Sequence, residues 1–236
     1  MTTADLFWPA RPPAHAVGVG RAGYPAYVAS GGGMSRTAEI QTGAGPARVE
    51  LDQPKNPAFL VVMTHGAGGG VQTPDLLAVR DAAVNLGAAV ARVLQPYRVR
   101  GARAPGAPGP QDAAWLEIVA ALRAEFPDLP LVQGGRSNGA RVACRTAARA
   151  GARAVIALAF PLHPPGRPQL SRVSELRGAG TDVLVVNGER DPFGVPEAQD
   201  AARVVVLPGE THALGKNPAA VGAAVGLWLA AIFGPD

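Results

Sequence analysis

The pentapeptide Gly135-Arg136-Ser137-Asn138-Gly139 stands between an apolar run, Leu129–Gly134, and an Ala-rich stretch, Asn138–Ala150. A serine on a tight turn from strand to helix has its hydroxyl lifted above the sheet edge. Glycines two positions before and after leave room where a Cβ would clash. The helix that follows aims its positive end at the site and favours developing negative charge. Such a serine is equipped for nucleophilic attack. The bare spacing is a weak signal in a chain with 30 glycines, and a simple turn with Ser137 capping the helix is the competing reading.

Three further segments give Ser137 its weight, each placed directly after a run that reads as a strand. Acyl transfer needs two preset N–H donors for the oxyanion. Thr64–Gly70 (THGAGGG) can supply one from the backbone of Ala67, and the backbone N–H of Asn138 supplies the other. His65 is expected to brace this loop, with a place in the substrate pocket as the alternative. A phosphate-binding loop is disfavoured, because both Gly-Lys-Ser/Thr and G-x-G-x-x-G are missing. Asn187–Gly194 (NGERDPFG) offers Asp191 as the buried acid that orients an imidazole, with Glu189 as the local alternative. Pro208–Leu214 carries His212. Among the histidines at 15, 65, 163 and 212, only His212 follows both Ser137 and Asp191, giving the order Ser, Asp, His. Histidine alone has an ordinary pKa suited to taking and returning a proton near neutrality.

The elements that must hold these residues alternate. Thr37–Thr42 and Ala47–Asp52 read as a hairpin around Gly43-Ala44-Gly45-Pro46. Ala58–Thr64 is a continuous apolar run, the mark of a strand buried on both faces. Strands are also expected at Ala88–Leu94, Leu129–Gly134, Ala154–Phe160, Asp182–Asn187 and Arg203–Leu207. Helices are expected at Pro74–Leu86, Asp112–Phe126, Asn138–Ala150, Ser171–Arg177 and Pro218–Phe233. Gln95–Pro110 reads as a long loop. The rhythm predicts an α/β fold with a mostly parallel central sheet covered by helices on both faces. In such sheets ligands bind beyond the carboxyl ends of the strands, where all four segments fall. The inserts between elements are too short for a large cap domain.

Residues 1–33 are Pro- and Gly-rich without a usable period, and are expected to be disordered or loosely packed; residues 34–236 form the one patterned domain. One hypothesis makes Met34 the natural start, and a chain beginning there that failed to fold would remove it.

The net charge is +4, yet no Lys/Arg run exceeds two and no aromatic residues alternate with basic ones, so nucleic acid is not an expected partner. With no apolar stretch near the ~20 residues of a membrane span, no signal-peptide pattern and a single cysteine, Cys144, a soluble cytoplasmic protein acting on a small molecule is expected. Cys144 reads as a core residue. No metal-ligand spacing is present and no cofactor is required. The sequence leaves the oligomeric state open. Arg98, Arg100 and Arg103 fall in the 95–110 loop, where they would make the mouth of the site basic.

These motifs resemble those of the α/β-hydrolase superfamily over residues 34–236, and more narrowly the KANSL3/Tex30 hydrolase-like family. The matching stretches are THGAGG at 64–69, GGRSNGAR at 134–141, FPLHPPGRP at 160–168 and NGERDPFG at 187–194. The family turn reads GGRSMGGR, so Asn138 and Ala140 depart from it. The resemblance implies a serine hydrolase with Ser137 as nucleophile, Asp191 as acid and His212 as base. It also puts His163 near the top of the sheet, as a pocket residue or a structural polar. Arg136 is expected to bind an anionic substrate group or to pair with a nearby acid. The same fold also occurs in peptidases, thioesterases and non-catalytic binding or scaffold proteins.

Overall fold

The computed structural model describes residues 26–28 and 34–234. The expectation for residues 1–33 therefore lies outside the described residues, except for Ala26–Val28, a short strand (β1) that pairs antiparallel with Met34–Arg36.

Nine strands form one sheet in the order β1-β2-β3-β5-β4-β6-β7-β8-β9. Met34–Thr42 (β2) and Gly45–Gln53 (β3) make the antiparallel edge hairpin. Phe59–Thr64 (β4), Ala88–Leu94 (β5), Leu131–Arg136 (β6), Ala154–Leu158 (β7), Asp182–Gly188 (β8) and Arg203–Leu207 (β9) run parallel to one another. The helices are Pro74–Asn85 (α1), Pro96–Val99 (α2), Pro108–Glu125 (α3), Asn138–Ala150 (α4), Val173–Arg177 (α5) and Pro218–Phe233 (α6).

Strand β4 shows why its sequence is apolar throughout. Side chains alternate across a strand, so Phe59, Val61 and Met63 join a core with α1 and α6, while Leu60 and Val62 join another with Trp115 and Ile118 of α3. A third cluster packs Ala143 and Ala147 of α4 against Val155, Phe160 and Val185. Each large side chain so buried contributes about 1.5–3 kcal/mol. Gln133, a polar residue in central β6, is fully satisfied. It accepts from Trp115 Nε1 at 2.9 Å and donates to the Ala143 carbonyl at 2.8 Å.

The 95–110 segment departs from the expected loop. It holds α2 and the first turn of α3, each with a proline in the first turn, where proline's fixed φ suits a helix and its missing N–H costs nothing. Strand β6 also runs two residues further than its apolar run, through Gly135 and Arg136. No cap domain interrupts the described residues, and no helix among them is long and apolar enough to cross a membrane.

Chain direction fixes the site. From β4 the chain moves outward to β5, and from β6 it moves the other way through β7, β8 and β9. The strand order therefore reverses between the neighbours β4 and β6, and a crevice opens at their carboxyl ends.

Candidate active site

Ser137 follows β6 directly and stands at the N-cap of α4 with φ 53° and ψ −112°. A non-glycine residue held at positive φ is strained, typically by ~1–3 kcal/mol, and persists only where its surroundings over-determine it. Those surroundings are glycines packed to contact. A Cβ on Gly135 would lie 2.7 Å from the Thr64 carbonyl oxygen, and one on Gly139 would lie 2.7 Å from the same oxygen and 2.8 Å from that of His65. The turn is thus pressed against the end of β4. Ser137 makes no side-chain cap to its helix; its hydroxyl is turned to His212 instead, against the simple-cap reading.

Ser137 Oγ lies 2.8 Å from His212 Nε2, and His212 Nδ1 lies 2.8 Å from Asp191 Oδ2. A carboxylate only accepts, so Nδ1 carries the ring proton and Nε2 accepts from the serine hydroxyl. The Asp191 carboxyl is fully buried. It accepts from the Phe193 N–H at 2.9 Å and from Asn187 Nδ2 at 3.2 Å. Asn187 in turn accepts from the Phe160 N–H at 2.8 Å, tying the acid to the ends of β7 and β8. Glu189 is exposed and accepts from the Gly209 N–H at 2.8 Å, so Asp191 is the acid that meets the imidazole.

The THGAGG loop comes to the same place. A Cβ on Gly66 would sit 3.2 Å from Ser137 Cβ. Ala67 follows and is exposed. Asn138 opens α4, where the first N–H groups have no intrahelical acceptor. Its side-chain Nδ2 is withdrawn from solvent with no partner among the described residues.

His65 is 1% exposed, so it is not a pocket-lining residue. Its Nε2 accepts from the Gln95 N–H at 3.0 Å and its Nδ1 lies 2.8 Å from the Gly66 carbonyl oxygen. The loop is braced through both nitrogens. Burial is the main cause holding the His65 pKa down to about 4, with the nearby Arg98 charge adding to it. The ring stays neutral.

Arg136 does not reach out for substrate. Its Nε lies 3.2 Å from Asp75 Oδ2, a carboxyl with no exposure, and its Nη2 donates to the His212 carbonyl at 3.0 Å. Burial pushes the Asp75 pKa up, against smaller opposing effects from Thr73 and Arg136. His163 braces the acid loop. Its backbone N–H donates to the Phe193 carbonyl at 3.0 Å, and its ring is so close to Gly194 that a Cβ there would meet Nε2 at 2.7 Å. Cys144 is buried in the core, which raises its thiol pKa to about 12 and leaves it unreactive. Among the described residues, no group of three or more His, Cys, Asp or Glu is placed to hold a metal ion.

Three contributors were not singled out from sequence. Asp75 hides in the first turn of α1, Asn187 reads as a strand terminus, and Phe193 reads as a loop residue. Phe193 stacks on the His212 ring, with centroids 4.1 Å apart and planes at 29°. None has a local signal. Only the position of Asn187 and Phe193 beside Asp191 hinted at a role.

The family described as "Alpha/beta hydrolase domain" matches residues 57–214, which span the loop after β4, the serine turn, the acid and the histidine. The chain belongs to the alpha/beta hydrolase family. No curated protein matches it. Among solved structures, this alpha/beta hydrolase is similar to a lidless α/β serine hydrolase from Xanthomonas campestris, with 19% identity, TM-score 0.67, and coverage of 86% of this chain and 96% of that one. An α/β serine hydrolase homologue from Coxiella burnetii is similar at 18% identity and TM-score 0.68, covering 86% and 99%. A dienelactone hydrolase from Anabaena variabilis is similar at 19% identity and TM-score 0.65, covering 86% and 97%. At these identities the likeness is one of fold.

Proposed function

We propose that this protein is a serine hydrolase acting on ester-like acyl substrates, with Ser137 as nucleophile, His212 as general base and acid, and Asp191 as the orienting carboxylate. The observation that carries the reading is the unbroken line of contacts from Ser137 Oγ through the His212 ring to the buried Asp191 carboxyl, 2.8 Å at each step.

The mechanism follows from that line. His212 Nε2 takes the hydroxyl proton as Ser137 Oγ attacks the acyl carbon, and the carbonyl electrons move onto oxygen. The N–H groups of Ala67 and Asn138 receive that oxyanion, as preset donors worth about 3–4 kcal/mol each in related chemistry. Collapse breaks the bond to the leaving group, which takes its proton from His212 and leaves an acyl-Ser137 ester. Water, deprotonated by His212, then attacks the acyl carbon; the bond to Ser137 Oγ breaks, Oγ takes the proton back from His212, and the acid is freed. Asp191 stabilises the imidazolium in both halves.

The narrower kinship to the KANSL3/Tex30 hydrolase-like family is part of the same proposal and is supported by the four motif stretches. A binding or scaffold protein of this fold, or a peptidase or thioesterase using the same residues, would share the architecture. The backbone strain kept at Ser137 favours turnover over a scaffold, which gains nothing from holding it. The test is a panel of p-nitrophenyl, amide and thioester substrates read with wild type and Ser137→Ala. Turnover of esters by wild type alone is expected; equal rates for both proteins would refute the assignment.

A further inference from the structure

Resting on the serine-hydrolase reading, we propose that Arg98 and Arg103 form a subsite for a carboxylate carried on the acyl group of the substrate. The 95–110 segment supplies three arginines, and the structure sorts them. Arg100 donates to the Ala44 carbonyl in the turn of the edge hairpin, so it is tied to that turn and not to the loop after β4. Arg98 and Arg103 go instead to the oxyanion loop. Arg98 Nε donates to the Gly69 carbonyl at 2.9 Å and its Nη1 to the Ala102 carbonyl at 3.0 Å. Arg103 is exposed, and a Cβ on Gly68 would lie 3.6 Å from its carbonyl oxygen and 4.0 Å from its Nε. The two arginines therefore flank Gly68 and Gly69, the residues that follow the donor Ala67.

Their charges are not cancelled locally. Other arginines of the site are: Arg136 meets Asp75, Arg141 meets Glu175, and Arg145 meets Asp112 and Glu175. Among the described residues, no carboxylate meets Arg98 or Arg103, and Arg98 Nη2 has no acceptor. The field of Arg98 reaches behind the loop, where it adds to the forces holding the His65 ring neutral and bears on Tyr97. Arg98 is fixed by two carbonyls, so it presents a preset guanidinium edge rather than a floppy cation, and such an edge suits the two oxygens of a carboxylate. The remaining acids of the centre, Asp75 and Asp191, are buried and paired. An anionic acyl tail thus meets positive potential, with no competing carboxylate in contact among the described residues.

The experiment compares kcat/KM for p-nitrophenyl hemisuccinate and its neutral counterpart of similar length, p-nitrophenyl valerate. Wild type is expected to favour the hemisuccinate. The ratio should fall about fivefold in Arg103→Gln, further in Arg103→Glu, and towards one at high salt. Arg149→Gln, which removes the same charge from an exposed position on α4, should leave the ratio as it is and so exclude a net-charge effect. A wild type without preference, or a ratio untouched by the Arg103 variants, overturns the subsite while ester hydrolysis itself stands. A wild type that cleaves neither ester and resists fluorophosphonate overturns the serine-hydrolase reading and the subsite with it.

Discussion

Arg136 donates from Nη2 to the carbonyl of His212 at 3.0 Å, linking the residue before Ser137 to the backbone of the residue whose ring meets the Ser137 hydroxyl. The same guanidinium meets the fully buried carboxyl of Asp75. One side chain thus fixes the separation between the turn after β6 and the loop after β9, with α1 as its anchor. Arg136→Gln should lower kcat by about tenfold, since small misplacements of catalytic groups are costly, and Arg136→Lys should recover part of it. The same change leaves Asp75 buried without its ion partner, so urea unfolding should show a loss of about 3 kcal/mol or more. Adding Asp75→Asn to Arg136→Gln should restore much of that stability without restoring kcat. Recovery of both together would mean that Arg136 serves packing alone.

The geometry of Ser137 carries a stability cost that substitution can expose. Glycine tolerates positive φ, so Ser137→Gly should abolish activity and yet raise stability by about 1 kcal/mol, strain relief being set against glycine's unfolded-state entropy. Gly139→Ala should act in the opposite direction. Its new Cβ meets the Thr64 and His65 carbonyl oxygens below 3.0 Å, and overpacking of this kind costs about 1–3 kcal/mol. Thermal unfolding of the two variants beside wild type reads both signs.

His65 makes folding sensitive to acid. Its folded pKa, about 4, lies below the ordinary value of 6.5. Between those values the unfolded chain binds more protons than the folded one, so stability rises with pH across that window. The contribution is complete above pH 6.5 and is lost as pH falls towards about 4, by about 3 kcal/mol at most. Urea midpoints at pH 7 and pH 4.5 should therefore differ more for wild type than for His65→Gln. An equal drop in both proteins would place the acid sensitivity elsewhere.

Phe193 stacks on the imidazole that must stay aligned with Ser137. Phe193→Ala should reduce kcat by about tenfold with little change in KM, because it loosens the base rather than the substrate. Phe193→Tyr, which keeps the ring face, should retain most of the activity.

What could be read from the sequence divides along physical lines. Strand β4 announced itself because a strand covered on both faces must be apolar at every position. That Ser137, Asp191 and His212 come together was legible because a strand end followed by a turn restricts which residues can stand there, and because their order along the chain is constrained. The Arg136–Asp75 pair was only half visible, since 61 positions separate its members and no local pattern reports an ion pair across a sheet. His65 makes the hydrogen bonds of a brace, and its alternative place in the pocket fails because both ring nitrogens are used inside the wall. Helix α2 was hidden in a Pro- and Gly-rich stretch whose composition signals a loop, although Pro96 was already in the position that starts a helix.

The most direct measurement is covalent labelling with a fluorophosphonate, read by peptide mass spectrometry on wild type, Ser137→Ala and His212→Ala. The proposed chemistry requires one adduct on the peptide containing Ser137 in wild type, none in Ser137→Ala, and slowed labelling by about 10³-fold or more in His212→Ala. An unlabelled wild type, or an adduct on any other residue, would contradict it.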